Sequence, residues 1–192
     1  MMQTTPGAGA DAGAGAPAHA PHGAEHAQYL TFVLGAEVFG LGILVVKEII
    51  GHGGVTAVPM MPEYVRGVIN LRGAVVPVID LARRFGLAPR PVTKRTCVVI
   101  VEQTLPERAP GGHEDAQVFG LIVDAVNAVL NIARADIEAP PAFGVKIKAG
   151  YLHGMGRVDD GLIMLLEPSC ILDCDDAESA SADPVARPGP LS

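Results

Sequence analysis

"VRGVINLRGAVVPVIDL", residues 65–81, is two apolar runs joined by Asn70, Leu71, Arg72 and Gly73. Val, Ile and Leu recur in both runs, and neither a helix cap nor a helical period appears, so both read as strands. Asn and Gly tolerate the backbone angles of a tight turn, which makes the pair a hairpin. A single cation, Arg72, sits at the lip of this apolar hairpin.

The stretch has a second copy. "YVRGVINLRGAVVPVIDL" (64–81) aligns without gaps on "YLHGMGRVDDGLIMLLEP" (151–168), 87 residues later, and "VFGL" occurs at 38–41 and again at 118–121. Two matches in the same order, with apolar and glycine positions in phase, indicate a duplicated β unit. Each half then reads as about five short strands. The first half places them near 29–35, 37–50, 55–59, 65–70 and 74–80, the second near 96–102, 118–131, 135–139, 151–156 and 162–167. Strands this short, punctuated by Gly and Pro, predict small barrels over an open sheet. Only "LARRFGL" (81–87) and "PSCIL" (168–172) have helical character.

Composition agrees with a β fold. Of the 192 residues 49% are hydrophobic, 4% are aromatic and none is Trp, so the core is expected to be aliphatic. A net charge of −7 argues against nucleic acid or an anionic membrane surface as partner. The longest uncharged run of the middle, between Glu48 and Glu63, is too short and too broken by Gly and Pro to span a bilayer. The N-terminus lacks the basic start and Leu-rich stretch of a secretory signal, and three cysteines at unhelpful spacings suit reduced thiols. A soluble, cytoplasmic protein is the expectation.

Residues 1–27 form an Ala/Gly/Pro tract that cannot bury enough surface to offset its ordering entropy, which predicts a disordered tail. His19, His22 and His26 inside it are read as solvated residues and not as a metal site. A folded region follows over 28–174, as two subdomains of about 28–95 and 96–174, and then a flexible tail over 175–192. The polar stretch 102–117 is expected to be a long hairpin loop.

The duplication also serves as an internal control. Positions that serve only the fold should look alike in both copies. Arg72 pairs with Asp159 under the 87-residue offset, and Glu48 pairs with Ala128 under the 80-residue offset of "VFGL". Glu48 and Arg72 are therefore a charge pair peculiar to the first copy. Two readings stay open on these residues: an exposed structural salt bridge worth about 0–1 kcal/mol, or part of a docking surface.

Three segments, "QYLTFVLGAEVFGLGILVVKEIIG", "VTAVPMMPEYVRGVINLRGAVVPVIDL" and "FGLIVDAVNAVLNI", resemble the CheW family of bacterial chemotaxis coupling proteins from about Gln28 to Cys174. The most specific element is "RGVINLRGAVVPVIDL" preceded by "VVKEI". CheW-like domains also end the histidine kinase CheA and occur in CheV, but no kinase or receiver region is present here. The resemblance implies an all-β fold of two intertwined five-stranded SH3-like barrels with a short C-terminal helical turn. It implies a non-enzymatic scaffold, without cofactor, that bridges chemoreceptor signalling tips to the CheA kinase. The family's receptor-binding surface maps onto Val46, Glu48, Gly67 and Arg72, with Val129 and Cys97 from the second half, and its Glu–Arg ion pair falls on Glu48 and Arg72. Residues that contact the kinase are not identified by the resemblance.

Other chemistries find little support in the residues. His52, His113 and His153 are scattered, and Cys170 and Cys174 lack the second pair that a zinc site needs. No glycine loop that would cradle a phosphate precedes a helix. A small β-barrel enzyme or metal-binding protein is the alternative from another class, and a coupler serving pili or another output is the nearer one.

Overall fold

The computed structural model describes residues 25–104, 116–140, 147–159 and 161–172. Most of the N-terminal tract, the centre of the 102–117 stretch and the 175–192 tail lie outside the described residues.

The chain runs through β1 (His26–Leu34), β2 (Glu37–Gly42), β3 (Val46–Gly51), β4 (Val65–Leu71), β5 (Ala74–Asp80) and a single helical turn, α1 (Leu81–Arg84). It continues through β6 (Cys97–Thr104), β7 (Ala116–Val123), β8 (Ala125–Ala133), β9 (Ile137–Glu138), β10 (Leu152–Val158), β11 (Gly161–Leu166) and α2 (Pro168–Leu172). The fold is all-β, as expected.

These strands make two sheets, ordered β8-β1-β2-β11-β10-β9 and β3-β6-β7-β5-β4. Each sheet draws on both halves of the sequence. The β1–β2 hairpin of the first half pairs with β8 and β11 of the second, and the β6–β7 hairpin of the second half pairs with β3 and β5 of the first. Halves cut at residue 95 thus do not each build their own sheet. In each sheet the two edge strands are neighbours in sequence, β3 with β4 and β8 with β9, so the chain curls each sheet towards closure. Thr56, in the connection between β3 and β4, exchanges backbone hydrogen bonds of 2.8 and 2.9 Å with Val68. Across the six-stranded sheet, Ile132 of β8 packs against Gly156 of β10.

Three cores result from these curled sheets. Ile69, Val76, Val78, Val98, Ile100 and Ile122 fill the inside of the five-stranded sheet. Tyr29, Ile132, Ile163 and Leu165 fill the six-stranded one. The largest core lies between the sheets and includes Phe32, Phe39, Leu41, Phe85, Val99, Val101, Phe119, Leu121, Tyr151 and Met164. Central strands are therefore buried on both faces: Val98 and Ile100 point into their own curl while Val99 and Val101 meet the other sheet. Such strands are continuous apolar runs for that reason.

The duplicated "VFGL" has one job in both places. Phe39 and Phe119 are fully buried in the shared core. The glycines that follow face the inside of each curl, where a Cβ on Gly40 would lie 2.9 Å from Leu165 and one on Gly120 would lie 2.7 Å from Val98. Both glycines also hold the parallel contact between the halves, Leu165 beside Gly40 and Val78 beside Gly120.

Six expectations needed adjustment. The run 37–50 is two strands separated by a 3-10 turn at Ile43–Val45, and 118–131 breaks at Asp124. Both breaks are places where the chain leaves one sheet for the other. Residues 55–59 supply a single bridge at Thr56, and 135–139 shrinks to β9. The helix expected over 81–87 ends at Arg84. His26 and Ala27, assigned to the disordered tail, begin β1 and pair with Ala133 and Ile132, because backbone pairing asks nothing of side-chain size.

Candidate docking surface

The β4–β5 hairpin turns on two residues, Arg72 and Gly73, with φ of 52° and 92°. Positive φ at both positions is the turn whose twist matches the flanking strands. Asn70 supports it, its Oδ1 accepting the Gly73 N–H at 2.8 Å. The sequence placed the turn correctly, but Arg and not Asn takes the first left-handed position. That conformation costs a non-glycine residue about 1–2 kcal/mol.

This turn carries the Arg72 side chain, 80% exposed, to Glu48 on β3, and its Nη2 donates to Glu48 Oε2 at 3.2 Å. β3 and β4 are opposite edges of the five-stranded sheet, so the ion pair spans the open side of the curl. Neighbouring Lys47, on the other face of β3, pairs with Glu102 at 2.7 Å. Val46 is half-buried and pairs with Val101.

Gly67 is buried on β4 at φ 147°. A Cβ there would stand 2.1 Å from the Thr56 carbonyl oxygen. Its site is thus dictated by the close approach of the 52–64 connection. Gly154, its copy on β10, admits β9 in the same way, with Glu138 O at 3.0 Å from a built Cβ.

The two second-half residues lie on different strands, β6 and β8. Cys97 opens β6 half-buried, hydrogen-bonded to the backbone of Val126 on β8, three residues before Val129, which is 47% exposed. No hydrogen bond or ion pair among the described residues links this group to Glu48 and Arg72. Burial pushes the Cys97 thiol pKa up, and the Val126 backbone bond draws it partly back. At pH 8, native Cys97 is therefore expected to alkylate with iodoacetamide several-fold more slowly than the same residue in urea. Peptide-resolved mass spectrometry reads the ratio, and equal rates would show an open, unshifted thiol.

Two apolar residues escaped the sequence reading. Val75 is 71% and Leu162 55% exposed, at matched positions of the repeat. They sit in continuous apolar strands, and only the curl reveals that their faces point outward. Among the described residues no group of three or more His, Cys, Asp or Glu gathers to hold a metal, and no helix is long and apolar enough to cross a membrane.

Comparison with known proteins agrees with this architecture. The family model described as a CheW-like domain matches residues 28–175. The chain is 32% identical over 160 residues to the chemotaxis protein CheW of Klebsiella aerogenes, covering 83% of this chain and 89% of that one. It is also 32% identical to CheW of Treponema pallidum, covering 74% and 80%. The crystal structure of the scaffolding protein TtCheW from Thermoanaerobacter tengcongensis superposes with a TM-score of 0.64 at 36% identity, covering 78% of this chain and 89% of that one. By family, fold and duplicated strand order, this chain belongs to the CheW family, as a chemotaxis scaffold and not an enzyme.

Proposed function

We propose that the chain couples chemoreceptor signalling tips to the histidine kinase CheA, in the cytoplasm at receptor arrays, with the Glu48–Arg72 face of the five-stranded sheet receiving the receptor. Val46 belongs to that surface, Gly67 shapes it from beneath by admitting the 52–64 connection, and Val129 and Cys97 extend it from the second half. Family membership supports the coupling role. The observation that supports the face is Arg72 itself. Its left-handed conformation costs about 1–2 kcal/mol, whereas an ion pair this exposed returns about 0–1 kcal/mol. Stability alone would favour Asn or Gly at that position, so the guanidinium is retained for what it contacts. A coupler of a pili-linked pathway would use the same face.

The test is a double-mutant cycle on receptor affinity with Glu48→Ala and Arg72→Ala. Each single change is expected to weaken binding of the cognate receptor tip about tenfold, with non-additive effects in the double variant. CheA binding should persist in all three, and the melting temperature should move by less than about 4 °C, since the pair is worth at most about 1 kcal/mol. Additive losses would refute the pair as a docking unit. Failure of the unaltered chain to bind either partner would refute the coupling role.

A further inference from the structure

The charge of this acidic chain is unevenly spread. Five cations, Arg83 and Arg84 in α1 and Arg90, Lys94 and Arg95 between α1 and β6, follow one another, and no acid occurs from residue 81 to 101. Arg83, Arg90, Lys94 and Arg95 are exposed. Arg83 is partnered, by Asp80 and more distantly by Glu63. Among the described residues no carboxylate pairs with Arg90, Lys94 or Arg95. Beside Arg83 and Arg90 the surface is concave: a hollow of about 90 Å³ is lined in part by Arg66, Arg83 and Arg90. The two carboxylates in its lining are already engaged, Asp80 with the Arg83 N–H and Asp124 with the Gly35 N–H. Such a surface calls for an anionic occupant.

The described chain ends beside it. Arg84 Nε donates to the Ile171 carbonyl at 3.0 Å, which fixes the end of α2 against α1. From that point the sequence continues "DCDDAESASAD" (173–183), five acids and no cation. Fully extended, these eleven residues reach up to about 36 Å, enough to cover the basic segment from Arg83 to Arg95. Five negative charges thus start next to five positive ones.

We propose that the acidic segment 173–183 binds back, in the same chain, onto the surface formed by Arg83, Arg90, Lys94 and Arg95. This self-contact neutralises the basic surface and closes it to acidic partners. Its strength falls with salt, because the Debye length shrinks from about 8 Å at 0.15 M to about 3 Å at 1 M.

Zero-length carbodiimide cross-linking of the full chain tests this, since it joins a lysine only to a carboxylate in contact with it. Lys94 is the one lysine of the segment, and the Lys47–Glu102 contact at 2.7 Å is a built-in positive control. An equal mixture of ¹⁵N-labelled and unlabelled chain separates links within one chain from links between two. The expected result is intrachain linkage of Lys94 to Asp173, Asp175, Asp176 or Glu178, in yield comparable to the Lys47 control. At 1 M NaCl that linkage should fall at least fivefold, and in Lys94→Arg it should vanish with the control intact. The proposal is overturned if the control link forms and Lys94 joins no residue of 173–183. It is equally overturned if the Lys94 links are only between labelled and unlabelled chains, or if Lys94 links only to an added glutamate decapeptide. Those outcomes would assign the surface to a second copy or to an acidic partner.

Discussion

Gly67→Ala is expected to lower the melting temperature by about 6–20 °C while leaving the all-β spectrum in place. The backbone at Gly67 has φ 147°, which no L side chain adopts comfortably, and strain of this kind costs about 1–3 kcal/mol. The new methyl would also lie 2.1 Å from Thr56 O and 2.7 Å from Thr56 C. Both are backbone atoms, so the 52–64 connection must retreat and give up the two reciprocal Thr56–Val68 bonds, each worth about 1 kcal/mol. A total of about 3–5 kcal/mol follows, and 1 kcal/mol moves the midpoint of a domain this size by about 2–4 °C. Gly154→Ala is the control. Its φ is ordinary, its nearest obstacle is the side chain of Ile137 at 2.8 Å, which can shift, and the Glu138 backbone oxygen stands off at 3.0 Å against 2.1 Å at Gly67, so a smaller loss is expected. Calorimetry on the two variants decides the matter. A Gly67→Ala midpoint within 2 °C of the unaltered chain would show that the connection yields freely.

Arg84→Ala should be nearly as damaging, with a loss of about 2–4 kcal/mol. The guanidinium lies 4.4 Å from the centroid of Tyr64 and 5.1 Å from that of Tyr151, the same tyrosine in the two copies of the repeat. Partly desolvated contacts of this type contribute about 0.5–2 kcal/mol each. The hydrogen bond to Ile171 O adds a charge-assisted contact of about 1.5–3 kcal/mol, and the terms overlap, so they do not sum in full. Lysine lacks the planar fork that can stack on rings and still donate sideways, so Arg84→Lys should restore little. Besides thermal denaturation, amide hydrogen exchange is the discriminating measurement. Residues 168–172 should exchange faster in the variant, because α2 loses its anchor. Unchanged exchange there, with stability intact, would reduce Arg84 to a surface residue.

The strands, the hairpin turn at Arg72 and the duplication marked by "VFGL" were legible because each rests on local pattern. Continuous apolar runs, a turn residue pair and a repeated tetrapeptide are all properties of neighbours in sequence. Which hairpin joins which sheet was not legible. β1–β2 could pair with β3 of its own half or with β8 of the other, and the duplicated sequence offers nearly the same partners in both places. The handover at Ile43–Val45 was hidden for a related reason, whereas the other crossing does carry a charge, Asp124. The chain stays apolar through "FGLGILVV", where Ile43, Val45 and Val46 pack on the shared core although Leu44 is exposed, so no polar break marks the crossing. The stretch 55–59 misled in the opposite sense, since β-branched residues there serve one bridge and a tight approach to Gly67. The Glu48–Arg72 contact was legible from the asymmetry of the repeat. Arg84 was not, because the two tyrosines that flank it are 87 residues apart and meet only after the halves interleave.

The exchange of hairpins between halves sets a schedule for synthesis. β2 is complete when Gly42 leaves the ribosome, yet its parallel neighbour β11 ends at Leu166, 124 residues later. At about 5–20 residues per second, the nascent β1–β2 hairpin waits about 6–25 s with one edge uncovered. Throughout that interval the core around Phe39 and Leu41 lacks Met164 and Leu166. A chain built this way offers chaperones a long-lived apolar edge. It commits to its final form only when the last strand is delivered.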